Sequence, residues 1–499
     1  MQNENLLAAI DLGSNSFRLE IGHFDHGQLI RTEYLKETVR LGNGLDTQRN
    51  LSDEAMTRGW ECLARFAERI AKFKKKQVRA VATQTLREAR NRDVFLAKGH
   101  AILGFPIEVI SGREEARLIY LGVSHLLPQS NERRLVIDIG GRSTELILGQ
   151  GYESQAMESY RVGSVTWSMK YFGGGKISKE ALRQAEVAAK AVLDEGLSVY
   201  SNKHWDQAYG SSGTVGAIAD ILVELGYPSD RVTRAGLNEL KERLLQAEQV
   251  DRLKLVGLKD DRRPVLCGGF CVISALFDLL KMDTLYAAQG ALRQGVIYDM
   301  VEREHDVTDV RWNTVKRMAR TFNVDNAQAD RVAQVALHLF EQLRDRVSNH
   351  DFERLARQLE WVTRLHEIGS QISHSDYHKH GAYILDNVEA MGFAQDELHR
   401  LSQWVLGQKG KLRKLEESLQ DASFVYPLLC LRLAVIACHA RHHADWRLIR
   451  LTVTSDGFAL KIPQSWLRTH PQSVHLLQQE SITWQKTSWA IHLNFDLES

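Results

Sequence analysis

The stretch IDIGGRSTELILG, Ile137 to Gly149, reads as a strand, a glycine turn and a second strand. An earlier stretch, IDLGSNSFRLEIG from Ile10 to Gly22, repeats it: without gaps, six of thirteen positions are identical. The copies pair Asp11 with Asp138, Gly13 with Gly140, and Ser16 with Ser143. Such a turn suits the wrapping of a phosphate. Its backbone N–H groups form an anion nest, and glycine lets an oxygen come close to them. Arg142 interrupts the second turn. At a positive φ it would cost about 1 kcal/mol or more. At an ordinary φ its guanidinium is free to point inward as a bidentate phosphate ligand, or outward to little effect.

Each copy opens a segment of α/β character. RAVATQTL, a helix-like stretch and FPIEVISG follow the first; QAYGSSGTVGAIA and DTLYAAQGALRQGVIYDM follow the second. Strands alternating with amphipathic helices predict α/β layers. Two such domains, each offering an Asp-Gly hairpin to a shared cleft, resemble the actin-like (ribonuclease H-like) ATPase superfamily. That resemblance implies that the two turns grip phosphates from opposite sides with a divalent cation between them. The Walker motif G-x-x-x-x-G-K-[ST] is absent, and a strand rather than a helix follows each turn.

Six motifs narrow the resemblance: DLGSNSF, ATQTLREARN, VISGREEARLIYLGV, VIDIGGRSTELILG, YGSSGTVGAI and GALRQGVIYDM, in that order. Together they are similar to the exopolyphosphatase and guanosine pentaphosphate phosphohydrolase family, and the similarity continues into LHEIGSQISHSDYHKHGAYIL. The resemblance implies a Mg2+-dependent hydrolase that removes the terminal phosphate of polyphosphate or the 5′ γ-phosphate of pppGpp. It makes Glu115 the general base and Arg87 the phosphate-gripping arginine. Asp138 and Glu145 become metal-associated carboxylates, with Asp11 in the matching place on the opposite wall. Ser14, Asn15, Gly140, Gly141, Arg142 and Ser143 would face phosphate from the two hairpins, and Gly210, Ser212 and Gly213 from a third turn. The residues themselves separate the neighbouring glutamates. Ser111 to Glu114 fits the capping box S-x-x-E, giving Glu114 a structural role at a helix start. Glu115 lies about 100° further round that helix and is free to face the cleft.

The family pattern breaks in three places. It carries glycine or alanine where Arg142 stands, glycine at Gln289 and glutamate at Gln294. These departures motivate an alternative, a sensor that binds guanosine polyphosphates or polyphosphate without catalysis. The retained carboxylates argue against it, since a sensor needs neither base nor metal ligands. A third reading, an actin-like ATPase or sugar kinase, requires an adenosine pocket that YGSSGTVGAI is too short to establish.

Beyond residue 301 helical periodicity takes over. Four domains are expected: 1–122 and 123–300 as the actin-like pair, 301–446 as a helical HD-like domain, and 447–499 as a small α/β unit with a hairpin at Ser455-Asp456-Gly457. His366, Glu367, His374, His378 and His380 tempt a metal assignment. An adjacent His-Asp pair is what HD-type chemistry needs, and here it is His-Glu, so a structural or channel role is favoured. Cys438 to His443 reads as a helix end. Lys74 to Lys76 reads as a solvated face, whereas Lys409, Lys411, Arg413 and Lys414, with Arg441, Arg447 and Arg450, suggest a groove that guides a polyanion.

The 499 residues are 43% hydrophobic and 25% charged, with a formal net charge of +1. That balance is globular and gives no reason to expect DNA or a membrane surface as partner. No signal peptide or spanning run is read, and five cysteines without a CxxC pair favour a reducing compartment, so a cytoplasmic protein is expected. The family resemblance adds a homodimer joined through its helical half.

Overall fold

The computed structural model describes residues 6–26, 28–303, 309–442 and 446–496. The polar leader 1–5, the junction 304–308 and His443 lie outside the described residues. Two compact units emerge: one holds residues 1–309 together with 389–394, the other residues 310–388 and 395–499.

The first unit contains two sheets. In the first, β1 (Leu7–Leu12) pairs antiparallel with β2 (Phe17–Asp25), which pairs with β3 (Gln28–Glu37); β4 (Val78–Ala82) and β5 (Ile107–Val109) continue parallel from the other edge of β1. Its order is β3-β2-β1-β4-β5. The second sheet uses β6 (Arg133–Ile139), β7 (Thr144–Gln150), β8 (Glu153–Tyr160), β9 (Gln207–Ser211), β10 (Arg231–Thr233) and β11 (Thr284–Ala287). Its order is β8-β7-β6-β9-β11, with β10 added antiparallel at the edge. The two sheets therefore repeat one topology, and the sequence duplication is a fold duplication. β8 and β10 are the strands of this sheet that the sequence reading does not pick out, and β10, at three residues, is too short for a period to show.

The central strands are apolar because both their faces are covered. Leu135, Val136, Ile137 and Ile139 of β6 are fully buried, as are Ala8, Ala9 and Ile10 of β1. Between the sheets run the helices Gly112–Leu126 and Leu292–Glu302, in a shared core with Ala9, Val81, Val136 and Ile147. They cross backbone to backbone. A Cβ on Gly295 would lie 1.7 Å from the Leu118 carbonyl oxygen, and one on Gly122 2.2 Å from that of Ala291. Only glycine permits that approach.

The helix bearing Glu115 begins at Ser111, whose hydroxyl accepts the Glu114 N–H at 3.1 Å. The other half of the expected capping box does not form. The Glu114 carboxylate instead accepts from Arg117 at 2.8 and 2.9 Å and from the Gly392 N–H at 2.7 Å. A carboxylate with no exposed surface needs full counter-charge, and a helix-start N–H supplies too little. Asp299 joins this network through Arg117, Arg79 and Arg303.

In the second unit the helices Val310–Thr321, Asn326–Glu341, Asn349–Leu365, Tyr377–Asn387, Gln395–Gly407 and Ala422–Ala437 form the helical region. Glu367 is paired with Arg441 at 2.8 Å, and the same guanidinium holds Asp325 at 2.8 Å. His366 Nδ1 is hydrogen-bonded to the Thr363 carbonyl at 2.6 Å. The helix before Cys438 ends at Ala437, as the sequence suggested. The expected hairpin is β12 (Arg450–Val453) with β13 (Gly457–Pro463), and β14 (Ala490–Asp496) adds parallel to make a three-stranded sheet. Among the described residues no helix is long and apolar enough to cross a membrane. All five cysteines are free and buried.

Candidate active site

Both Asp-Gly hairpins open onto one cleft of about 440 Å³ in the first unit. In the register of each hairpin the aspartate sits directly opposite a charged residue: Asp11 faces Arg18, and Asp138 faces Glu145. The turns between these strands meet across the cleft. A Cβ on Gly141 would stand 3.3 Å from the Ser14 Cβ, so the second turn must be small there to face the first. Ser14, Asn15, Gly140, Gly141 and Ser143 line the cleft, joined from the third turn by Ser212 and Gly213. Ser212 holds a φ of 108°, a strained value for a residue with a side chain. Its hydroxyl caps the helix Gly213–Glu224 through the N–H groups of Thr214 and Val215. Gly210 lies inside β9, where a Cβ would meet Val215 and Leu285, and it does not line the cleft.

Glu115 lines the cleft from the helix between the two sheets, with Asp11 and Asp138. Arg87, on the short helix Gln84–Glu88, donates from Nη1 and Nη2 to Glu115 Oε2 at 3.2 Å each, and from Nη1 to the Ile110 carbonyl at 2.7 Å. Glu145 is buried behind Asp138 and accepts from the Ser159 hydroxyl at 2.7 Å. Burial pushes the Glu115 carboxyl up to about 7; Arg87 opposes the shift, and the charges of Asp11 and Asp138 add to it. Burial likewise pushes Asp138 up to about 6, against a hydrogen bond from Ser211 and the charge of Arg18. Glu145 is held well above the usual carboxylate range by burial and then by Glu115 and Asp138. Mutually repelling buried carboxylates lack positive charge. Asp138, Glu145 and Asp11 therefore suit a hard dication bound through oxygen. Among the described residues no group of three or more acidic, His or Cys side chains is placed to hold a metal ion, so the three carboxylates do not converge on one point.

Arg142 has an ordinary backbone, since it is not among the residues at positive φ. Its guanidinium leaves the cleft. Nη2 donates to Glu88 Oε2 at 3.0 Å and Nη1 to the Gly42 carbonyl at 3.1 Å, both on the opposite half of the fold. Gln289 lines the cleft. Gln294 lies behind it and donates to both oxygens of buried Glu20 at 2.7 and 2.6 Å.

Sequence reasoning missed one wall. Arg18, Lys36, Arg262 and Arg293 line the cleft around Tyr34; Arg18 and Lys36 are cross-strand partners on β2 and β3, and the other two come from distant parts of the chain. Arg18 donates to Asp11 at 3.2 Å, and Lys36 donates to Asp261 at 3.0 Å. Burial lowers the pKa of both Lys36 and Arg262, with Arg18 acting in the same direction on each. The wall thus holds more positive charge than its acids offset. One signal was available: Arg18 occupies the position equivalent to Glu145 in the internal repeat, a charge reversal between otherwise similar hairpins.

Models of the Ppx/GppA phosphatase family and of that family's domain III match residues 24–304 and 310–481. The chain belongs to the Ppx/GppA phosphatase family. It is 39% identical to a guanosine-5'-triphosphate,3'-diphosphate pyrophosphatase of Pseudoalteromonas translucida over 98% of this chain and 99% of that one. A protein of the same name from Vibrio atlanticus is 36% identical, with 98% of each chain covered. Among solved structures, an exopolyphosphatase from Cytophaga hutchinsonii superposes with a TM-score of 0.55 at 23% identity, covering 60% of this chain and 98% of that one. The Ppx/GppA member from Aquifex aeolicus gives a TM-score of 0.50 at 25% identity, covering 60% and 99%. These agree with the resemblance read from the six motifs and with the duplicated α/β fold.

Proposed function

We propose that this hydrolase cleaves the terminal phosphoanhydride of pppGpp, giving ppGpp and phosphate, and that it takes inorganic polyphosphate by the same chemistry. The observation that carries the reading is Glu115: a buried carboxyl with a pKa near 7, facing a cleft between two glycine turns. A general base is most effective when its pKa lies near the working pH. Glu115 takes a proton from a water as that water attacks the terminal phosphorus. The anhydride P–O bond breaks, and its electron pair stays on the leaving phosphate oxygen. Arg87 keeps the Glu115 carboxylate oriented. The turn residues Ser14, Asn15, Gly140, Gly141 and Ser143 hold the terminal phosphate, while Arg18, Lys36 and Arg262 receive the remaining negative charge of the substrate. Asp138 and Glu145, with Asp11 on the facing wall, would hold a Mg2+ ion, which would supply neutralising charge to the phosphate oxygens. The names of the relatives favour pppGpp as the first substrate to try.

The departures that would favour a non-catalytic sensor leave the carboxylates untouched: Arg142 and Gln294 are engaged outside the cleft, and Gln289 alone lines it. Phosphate release should be measured with Mg2+ on pppGpp, long-chain polyphosphate and ATP side by side. Release from either of the first two, lost in Glu115→Gln, is the expected result. Tight binding without release would make the protein a sensor, and equal turnover of ATP would return the kinase-like reading.

A further inference from the structure

The short helix Gln84–Glu88 spends every polar side chain on a neighbour. Thr85 donates to the Ser14 hydroxyl at 2.8 Å, on the first phosphate turn. Gln84 donates from Nε2 to Glu88 Oε1 at 2.6 Å, and its Oε1 accepts from Arg87 Nε at 3.1 Å and also from Arg87 Nη2. Arg87 holds Glu115, and Glu88 is held by Arg142. The result is an unbroken run of hydrogen bonds from Glu115 through Arg87, Gln84 and Glu88 to Arg142 on the second phosphate turn. Its charged members are at most 18% exposed at the side chain.

We infer that Arg142 is a positioning residue: by anchoring Glu88 from the second hairpin, it sets the orientation of Arg87 on Glu115 across the two halves of the fold. This rests on the proposed function for its kinetic consequence and on the contacts alone for its existence. Without Arg142, Glu88 keeps a largely buried charge with no close cation, because Arg161 is 4.0 Å away and mostly exposed. The nearest replacement is Arg87, reached by displacing Gln84, and Arg87 can satisfy Glu88 only by loosening its hold on Glu115. Arg142 uses two of its five N–H donors on Glu88 and Gly42, and it does not line the cleft where the phosphate would sit.

The test compares the full-length protein with Arg142→Ala, Glu88→Gln, the double variant and Arg142→Lys. With pppGpp and Mg2+, Arg142→Ala should lower kcat roughly tenfold with KM within about twofold, as misorientation of a catalytic group does. The double variant should be no slower than the worse single one, and Arg142→Lys should recover most of kcat. A raised KM at unchanged kcat would make Arg142 a phosphate ligand and overturn the inference; so would multiplicative losses in the double variant. Thermal unfolding of the same proteins needs no activity. The double variant should lose less than the sum of the single shifts, and strict additivity would show that Arg142 and Glu88 do not act together, overturning the inference whatever the substrate. Absence of phosphate release from the wild type alone would instead count against the proposed function.

Discussion

The two hairpins share a backbone and differ in how their charges are paired. In the first, Asp11 is answered across the strand pair by Arg18, and Arg293 stands 3.7 Å away. In the second, Asp138 is answered by Glu145, and both carboxyls sit above their ordinary range. Duplication therefore supplied two turns of one shape, and a single reversal at equivalent positions divided their work. In the first copy both acids, Asp11 and Glu20, are met by guanidinium groups, those of Arg18 and Arg293. In the second, Asp138 and Glu145 face each other without a cation between them, and burial favours their protonated forms, which suits the proposed role in holding a cation. Glu115, the proposed general base, lines the same cleft as both aspartates and takes its raised pKa from burial and from their charges.

The largest effect should come from removing that base. Glu115→Gln keeps the shape and the Arg87 contact but cannot accept a proton, so kcat should fall by roughly 10² to 10⁴-fold while the Kd for substrate changes little. Wild-type turnover in this variant would mean that the cleft activates water elsewhere.

The contrast between the hairpins also predicts a pH-dependent response to Mg2+. A carboxyl whose folded pKa is raised is protonated more readily in the folded state than in the unfolded one. Its ionisation therefore costs stability as pH rises from about 4, the unfolded value, through the folded values of about 6 for Asp138 and about 7 for Glu115. The metal-free protein should lose stability across that window, and Mg2+ should restore it only where the site is ionised. The gap in Tm with and without Mg2+ should widen between pH 5.5 and 8. Asp138→Asn should raise the metal-free Tm and abolish the gap. A gap independent of pH would locate the cation away from these carboxylates. Asp299 acts in the opposite sense at lower pH: burial would raise it, but Arg117, Arg303 and Arg79 outweigh burial and hold it far below its ordinary value. That contribution is present above the unfolded value near 4 and is lost on acidification, so stability should peak in mildly acid solution.

How much of this was legible beforehand follows from the range of each interaction. Strands alternate faces and a tight turn fixes its own register, so thirteen residues sufficed to find the duplication and to set Asp11 and Asp138 in equivalent places. Ser111 as a helix cap and the hairpin at Gly457 are equally local. Glu114 was misjudged in its partner, because Gly392 and Arg117 compete with the helix start and the first is distant in the chain. The cationic wall escaped notice for the same reason: Arg262 and Arg293 join the Arg18–Lys36 strand pair only in the folded unit. Arg142 looked like a question about φ, and its answer was a partner, Glu88, on the other half of the fold.

Arg18 sharpens the comparison by intermediate amounts. Arg18→Gln leaves Asp11 with only the more distant Arg293 and strips a cation from the substrate wall. Stability should fall by about 1–2 kcal/mol, less than for a fully enclosed pair because Arg18 is partly exposed and Arg293 remains. KM should rise roughly tenfold, since the lost charge is worth about 1.4 kcal/mol to a polyanion held nearby. A change in kcat alone would place Arg18 in the chemistry rather than in binding.

The smallest expected effect on turnover tests a second difference between the hairpins. Glu20 of the first copy stands where the second has Ile147, so the first copy buries a charge where its counterpart buries a hydrocarbon. That charge is held by Arg293 at 3.1 Å and by both hydrogen bonds from the Gln294 amide. The family pattern has glutamate at 294, and glutamate there would set two carboxylates against each other at the distance of a hydrogen bond. Gln294 is thus the partner that Glu20 requires, and its departure from the pattern needs no functional cause. Gln294→Glu should cost about 1–3 kcal/mol, the range for a buried polar group whose partner is lost. Adding Glu20→Gln should recover most of it, because the amide and the carboxylate have then only changed places. If the single variant melts like the wild type, the carboxylates at 20 and 294 tolerate each other, and the first hairpin is as able as the second to store repulsion.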